Sequence, residues 1–262
     1  KVAPSVFREL GADVTVLSAQ PDGLNINDNC GSTHIDSLAP RVVAGGYDLG
    51  LAFDGDADRL LAVDERGTLL DGDVLLATLS EHLTARKRLA GNAVVVTSMT
   101  NLGFLKLMKE RGRTVDITGV GDRYVLESMR RHGYSLGGEQ SGHMIFLDIA
   151  TTGDGQLSAI MLLNALADSG RPLSELAGVM RRFPQTIQNV PATASMKAAL
   201  GQNAIVAGEI ARWETILEGR GRVMVRASGT EPFIRVMIEG EDQDEIENAA
   251  RTISNALCEH LI

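Results

Sequence analysis

Tyr47-Asp48-Leu49-Gly50-Leu51-Ala52-Phe53 runs straight into Asp54-Gly55-Asp56-Ala57-Asp58-Arg59. The first segment reads as a β-strand and the second as an acidic loop at its end. In extended backbone, carboxylates at i, i+2 and i+4 point to one side. Three such charges repel one another unless a cation sits among them. A donor set made only of oxygen suits a hard divalent ion, Mg²⁺ or Ca²⁺. Arg59 adds a planar fork for a phosphate or carboxylate beside that ion. The carboxyl end of a strand is also where open α/β sheets place their ligands. A solvated acidic turn is the alternative on spacing alone. An EF-hand is disfavoured: Asp54, Asp56, Asp58 and Glu65 fall on its ligand positions, but Arg59 stands where the sharp turn needs Gly, and the flanks read as strands.

Outward from this loop the chain reads as α/β. Pro4 to Gly11 has Pro in a first turn, apolar residues at helical spacing and a closing Gly, which predicts a short helix. Asp13 to Leu17 is expected to be a strand. A helix followed by a parallel-type strand calls for a strand before it; none is present, so the chain is expected to begin inside a βα unit. Ile35 to Ala44 predicts an amphipathic helix. Leu60 to Val63 and Thr68 to Leu70 predict two strands joined by a turn at Glu65-Arg66-Gly67. Asp71 to Leu83 carries an apolar side at helical spacing. A second α/β unit opens at Ala93-Val94-Val95-Val96-Thr97, a short apolar run typical of a buried parallel strand. Helices are expected over Leu102 to Arg111, Tyr124 to His132 and Gly155 to Ser169, with a strand at Thr114 to Ile117. Beyond about Pro184 the pattern changes to α+β: a helix over Ala204 to Leu217, strands at Arg222 to Arg226 and Phe233 to Glu239, and a closing helix capped by Asp242 or Asp244.

Two further loops carry chemistry. Gly137-Gly138-Glu139-Gln140-Ser141-Gly142-His143 lies between strand-like segments. Its glycines let backbone approach a ligand, and Glu139 and Ser141, two apart, can face one side and hydrogen-bond vicinal hydroxyls. His143 is a candidate general base or phosphate donor. Arg226-Ala227-Ser228-Gly229-Thr230-Glu231-Pro232, with Arg235 on the next strand, combines hydroxyls, a Gly-containing turn and guanidiniums. Those are the parts of a phosphate cradle. Glu231 repels a phosphate and must point away from it. Ordinary polar hairpin turns remain the alternatives for both loops, and no Walker A pattern occurs.

Composition bounds the reading. The chain has 262 residues, 44% hydrophobic and 23% charged, enough apolar residue for genuine cores. Aromatics are only 4%, so those cores must be aliphatic. No apolar run approaches the ~18 residues of a membrane span. A net charge of −9 argues against a nucleic-acid partner and requires a local basic site for any anionic ligand. Cys30 and Cys258 lie far apart without CxxC spacing, which fits a reduced cytoplasmic chain and argues against zinc.

Taken in order, the three loops resemble the α-D-phosphohexomutase superfamily. Its metal pattern DGDxDR matches Asp54 to Arg59, its sugar pattern GE-x-SGH matches Gly138 to His143, and its phosphate pattern R-x-S-x-T-x-P matches Arg226 to Pro232. Gln140 and the stretches Asn25 to His34, Val120 to Val125 and Thr151 to Gly155 are most similar to its phosphoglucosamine mutase subfamily. The resemblance implies two consecutive α/β domains, the first incomplete at its N-terminus, then a smaller α+β domain, with bounds 1–70, 71–189 and 190–262. It implies interconversion of glucosamine 6-phosphate and glucosamine 1-phosphate through a phosphoserine and a bisphosphate. The serine stands in an S-H-N-P-like loop of a first domain that these residues lack, so this chain alone is expected to be inactive. One Mg²⁺ is implied on Asp54, Asp56 and Asp58. Glu139 and Ser141 are implied as sugar ligands, and Arg226, Ser228, Gly229, Thr230 and Arg235 as phosphate ligands. His143 and Arg59 are implied in catalysis, with Asp122 and Arg123 ranked below. The expected partner is a phosphorylated amino sugar, with neither nucleic acid nor membrane, and a homodimer stays open. Phosphomannomutase or phosphoglucomutase activity, or a binding module without catalysis, are the alternatives.

Overall fold

The computed structural model describes residues 2–229 and 231–261. They form two compact units: residues up to Thr100 with Phe104–Arg181, and Asn101–Gly103 with the chain from Arg182 onward.

The first unit begins with α1 (Val2–Glu9) and α2 (Ala39–Gly45). A three-stranded antiparallel sheet follows, in the order β1 (Leu49–Phe53), β2 (Leu60–Asp64), β3 (Leu69–Leu70). Then come α3 (Gly72–Ala85), β4 (Ala93–Thr97), α4 (Leu102–Glu110), β5 (Thr114–Thr118), α5 (Asp122–His132), β6 (Leu136–Gly138), β7 (Met144–Phe146), α6 (Gly155–Ser169) and α7 (Leu173–Ala177). The second sheet has the order β5-β4-β6-β7. Strand β4 runs parallel to both β5 and β6, while β7 closes the edge antiparallel.

Every residue of β4 is buried, because a central parallel strand has both faces covered. Val94 and Val96 enter the main core with Leu75, Leu76 and Leu79 of α3, Phe104 and Met108 of α4, and Leu162 of α6. Val95, on the opposite face, meets Val125 and Met129 of α5. Asp71 caps α3 by accepting from the Val74 amide (3.1 Å), and Asp154 caps α6 through the Gln156 and Leu157 amides.

Two expected elements of this unit differ in the structure. Asp13 to Leu17 forms no strand. Among the described residues it pairs with no strand; Arg8 donates to the Val14 carbonyl (3.1 Å) and Tyr47 to the Thr15 hydroxyl (2.7 Å). The helix expected over Ile35 to Ala44 is broken into a 3₁₀ segment, Ser32–Ser37, and α2. Pro40 sits in the first turn of α2, where its missing N–H is tolerated but cannot continue a preceding helix.

The second unit carries β8 (Gln185–Pro191), α8 (Ala194–Ala199), α9 (Ala204–Ile216), β9 (Gly221–Ala227), β10 (Phe233–Gly240) and α10 (Gln243–His260). Its antiparallel sheet has the order β8-β10-β9. Alternate residues of β10, Ile234, Val236 and Ile238, pack with Trp213 of α9 and with Ile246, Ala250, Ile253 and Leu257 of α10. Asp242 caps α10 through the Glu245 amide (2.9 Å). Glu239 is fully buried, and burial pushes its carboxyl above the ordinary carboxylate range against the pull of Arg222. Asn101 donates to Glu239 (3.1 Å) and to the Phe183 carbonyl (3.0 Å). Among the described residues no helix is long and apolar enough to cross a membrane.

Candidate active site

Residues 54–59 connect β1 to β2 at the point where Phe53 and Leu60 pair. The connection is a tight turn, not the extended backbone expected. Ala57 adopts a left-handed conformation (φ 61°), its amide donates to the Asp54 carbonyl (3.2 Å), and the Arg59 amide donates to Asp54 Oδ1 (3.1 Å). The turn still gathers the carboxylates: one ligand oxygen from each of Asp54, Asp56 and Asp58 lies within 4.8 Å of the others. Arg59 Nε stands 3.6 Å from Asp54 and 3.7 Å from Asp58, and the rest of its side chain is partly exposed. Segment Ile26-Asn27 covers this turn; a methyl on Gly55 would stand 2.6 Å from Ile26 Cγ1.

The second loop joins β6 to β7 and is stitched to the first within the same unit. The Glu139 amide donates to the His143 carbonyl (2.9 Å) and the Gly142 amide to the Glu139 carbonyl (3.0 Å). Gly142 takes φ 95°, which a side chain would oppose. The Leu60 amide donates to the Gly142 carbonyl (3.0 Å), Arg59 and His143 form an isolated antiparallel bridge, and the Gly155 amide donates to the Ala57 carbonyl (2.9 Å). Glu139 Oε1 accepts from the Gly121 amide (3.0 Å), so the 119–121 segment orients that carboxylate and its second oxygen can serve a ligand. Ser141 is exposed at the tip.

His143 lies buried beside the acidic turn. Its side chain is only 4% exposed, and Nδ1 lies 3.0 Å from Asp58 Oδ2. Gly153 lies against the ring: a methyl there would overlap the imidazole, 2.6 Å from Nδ1. The ring thus links the second loop to a carboxylate of the acidic turn.

The third loop, in the second unit, joins β9 to β10. The register places Arg226 directly opposite Arg235, and Arg235 opposite Asn189 on β8. Like charges directly opposite destabilise a sheet, and an anion between them removes that cost. Arg235 Nε donates to Asn189 Oδ1 (3.2 Å) and its guanidinium stands 3.8 Å from Glu231. The Glu231 amide donates to Ser228 Oγ (3.2 Å), and the space around Gly229 is open. Thr230 lies outside the described residues. Lys197 is an addition to the predicted set: from α8 it donates to the Ser228 carbonyl (2.8 Å) and the Glu231 carbonyl. A lone lysine on a short helix gives no sequence signal for that task. Gly121 and Gly153 lie in stretches singled out by the family resemblance, but their contacts with Glu139 and His143 are purely tertiary.

Two family models match: phosphoglucomutase/phosphomannomutase α/β/α domain III over residues 71–183, and the C-terminal domain of the same family over residues 187–256. The chain belongs to the phosphoglucomutase/phosphomannomutase family. Among curated relatives it is similar to phosphoglucosamine mutases. It is 50% identical to that of Clostridium novyi over 258 residues, covering 98% of this chain and 57% of the relative. It is 48% identical to that of Clostridioides difficile, covering 100% of this chain and 58% of the relative. The chain thus spans a little over half the length of these relatives. Solved structures share the fold: a family protein of Burkholderia thailandensis (TM-score 0.80, 21% identity, 98% of this chain and 58% of that one). So does the N-acetylphosphoglucosamine mutase of Aspergillus fumigatus in complex with GlcNAc-6P and magnesium (TM-score 0.73, 22% identity, 97% and 63%).

Proposed function

We propose that these residues carry the metal, sugar and phosphate loops of a phosphoglucosamine mutase, which interconverts glucosamine 6-phosphate and glucosamine 1-phosphate through a serine-borne phosphoryl group and a sugar bisphosphate. The acidic turn carries this reading. Three carboxylates converge within 4.8 Å, and Asp58 Oδ1 is buried without a hydrogen-bond partner in the protein. Arg59 Nε stands 3.7 Å from that oxygen, beyond hydrogen-bond distance, and a buried carboxylate oxygen without a hydrogen bond, beside two further carboxylates, fits a hard cation. Asp54, Asp56 and Asp58 would hold one Mg²⁺. When bound, that ion supplies positive charge against a transferring phosphoryl group.

The chain's own residues do the rest. Arg59, whose side chain is partly exposed, offers its guanidinium to an anionic oxygen beside the carboxylates. Glu139, with one oxygen held by Gly121, and Ser141 take sugar hydroxyls. Arg226 and Arg235, with Ser228, Gly229 and Thr230, take the phosphate that does not react, so that binding energy far from the chemistry orients the reacting end. The choice of glucosamine rests on the 48–50% identity to phosphoglucosamine mutases along nearly all of this chain. We further propose domain bounds of 1–70, 71–189 and 190–262, a cytoplasmic location, and neither a nucleic-acid nor a membrane partner.

Calorimetric titration of this chain, with Mg²⁺, by glucosamine 6-phosphate, glucose 6-phosphate and mannose 6-phosphate tests the reading. The amino sugar phosphate should bind most tightly, Asp56→Asn should remove the Mg²⁺ dependence, and the chain alone should not turn the sugar over. Equal affinities would remove the glucosamine assignment. Steady turnover by these residues alone would remove the phosphoserine step.

A further inference from the structure

His143 is a buried side chain that joins the sugar loop to the acidic turn. Its ring is 4% exposed and lies against Gly153. Nδ1 stands 3.0 Å from Asp58 Oδ2, while Nε2 is buried with no hydrogen-bond partner in the protein. A carboxylate only accepts, so the contact requires the proton on Nδ1. Asp58 is therefore divided. One oxygen is tied to the imidazole; the other, Oδ1, is buried with no hydrogen-bond partner in the protein, 3.7 Å from Arg59 Nε, in the turn where an oxygen from each of Asp54, Asp56 and Asp58 converges.

The backbone makes this division reproducible. The bridge between Arg59 and His143 and the Leu60–Gly142 hydrogen bond fix the two segments beside each other, 85 residues apart in sequence at the Asp58–His143 contact. Without the imidazole, repulsion from Asp54 and Asp56 favours rotation of Asp58 away from its neighbours. Holding it in place beforehand removes that reorganisation from the binding step. Outer hydrogen bonds to ligating carboxylates act in this way, and their loss typically costs 10–100-fold in metal affinity.

We infer that His143 is a positioning residue: its Nδ1–H holds Asp58 so that Oδ1 faces a divalent cation, and cation affinity depends on that hydrogen bond. This rests on the cation reading of the acidic turn proposed above, and deepens it by naming the residue that preorganises the turn.

The test is Mn²⁺ binding to this chain followed by electron paramagnetic resonance, with Mg²⁺ as competitor, which needs no turnover. His143→Asn keeps an N–H at the same bond separation from Cβ as Nδ1–H; His143→Gln moves it one bond outward, and His143→Ala removes it. Wild type and His143→Asn should agree within about threefold, while His143→Ala and His143→Gln weaken Mn²⁺ by about 10–100-fold. Gly153→Ala, which displaces the ring with His143 still present, should weaken it likewise. Thermal melts establish that each variant is folded; where His143→Ala has melted, the Asn and Gln pair decides. Equal Mn²⁺ affinity in wild type, Ala and Gln variants would overturn the inference, as would an Asn variant as weak as Gln. A wild-type chain that binds no Mn²⁺ removes the cation reading itself and this inference with it, a result distinct from equal binding by all variants.

Discussion

Gly72→Ala and Gly208→Ala make the same chemical change in two helices of similar length, and the structure assigns them opposite signs. Ala normally stabilises a helix over Gly by about 0.5–1 kcal/mol. Gly208 lies exposed inside α9, with nothing within 4 Å of where a methyl would stand. Gly208→Ala should therefore gain that ~0.5–1 kcal/mol. Gly72 opens α3 directly beneath the sugar loop. Its amide donates to the Gln140 carbonyl (2.9 Å). A methyl there would overlap the Glu139 carbonyl oxygen and stand 2.7 Å from the Gly142 nitrogen and 2.9 Å from the Gln140 carbonyl oxygen. All three are backbone atoms, so no side chain can swing aside. Restoring contact distance requires a shift of about 1 Å in the loop, and overpacking of this kind costs about 1–3 kcal/mol. The steric cost outweighs the propensity gain, leaving Gly72→Ala destabilised by roughly 1–2 kcal/mol. For a urea slope near 2 kcal/mol/M the midpoint falls by about 0.5–1 M. Far-UV circular dichroism reads that loss, while the single tryptophan, Trp213, buried in the second unit, reads the Gly208→Ala gain by fluorescence. The same displacement moves Glu139, and a misplacement of ~1 Å can cost up to ~100-fold in a positioned site, so glucosamine 6-phosphate affinity should fall with it. A Gly72→Ala chain as stable as wild type, with unchanged ligand affinity, would refute the packing argument.

The remaining predictions concern groups away from the three loops. Burial lowers the His82 pKa from its ordinary value; Asp168 opposes this, and Arg86 and Arg88 add to it. The unfolded chain then takes up this proton first, so stability should fall as pH drops from about 6.5 towards the lower folded value. His82→Gln should flatten that slope in urea titrations between pH 7.5 and 5.5, and an unchanged slope would assign it elsewhere. Asn101 makes at least four hydrogen bonds in a fully buried site: to the Phe183 carbonyl and Glu239, and from the Phe183 and Gly103 amides. Asn101→Ala should cost at least about 3 kcal/mol, seen as a lower midpoint in Trp213 fluorescence; a loss under 1 kcal/mol would show that the site repacks.

Regular elements with strong short-range signals are legible in the residues themselves. Gly155 to Ser169 is helical over the span its pattern predicts, Ala93 to Thr97 is the buried parallel strand its apolar run implies, and Asp242 caps the last helix. Segments whose state depends on a distant partner are not. Asp13 to Leu17 has strand composition, yet among the described residues it pairs with no strand. Gln185 to Pro191 carries no strand signal of its own, because its polar sequence is made a strand only by pairing with β10.

The sequence alone determined which chemical groups are present and their local order: an aspartate triplet after a strand, a Gly-Glu-Ser-His turn, and arginines around a serine-glycine loop. Spacing along a chain reports the first few neighbours of each residue, and those motifs are short enough to be read that way. Tertiary structure alone decided the rest. It turned the aspartates through a left-handed Ala57, buried His143 against Asp58, set Gly121 on Glu139, and placed Arg226 opposite Arg235. The last three depend on which strands and turns come to lie side by side, and that choice is made by burial of the core, not by the residues of the loops themselves.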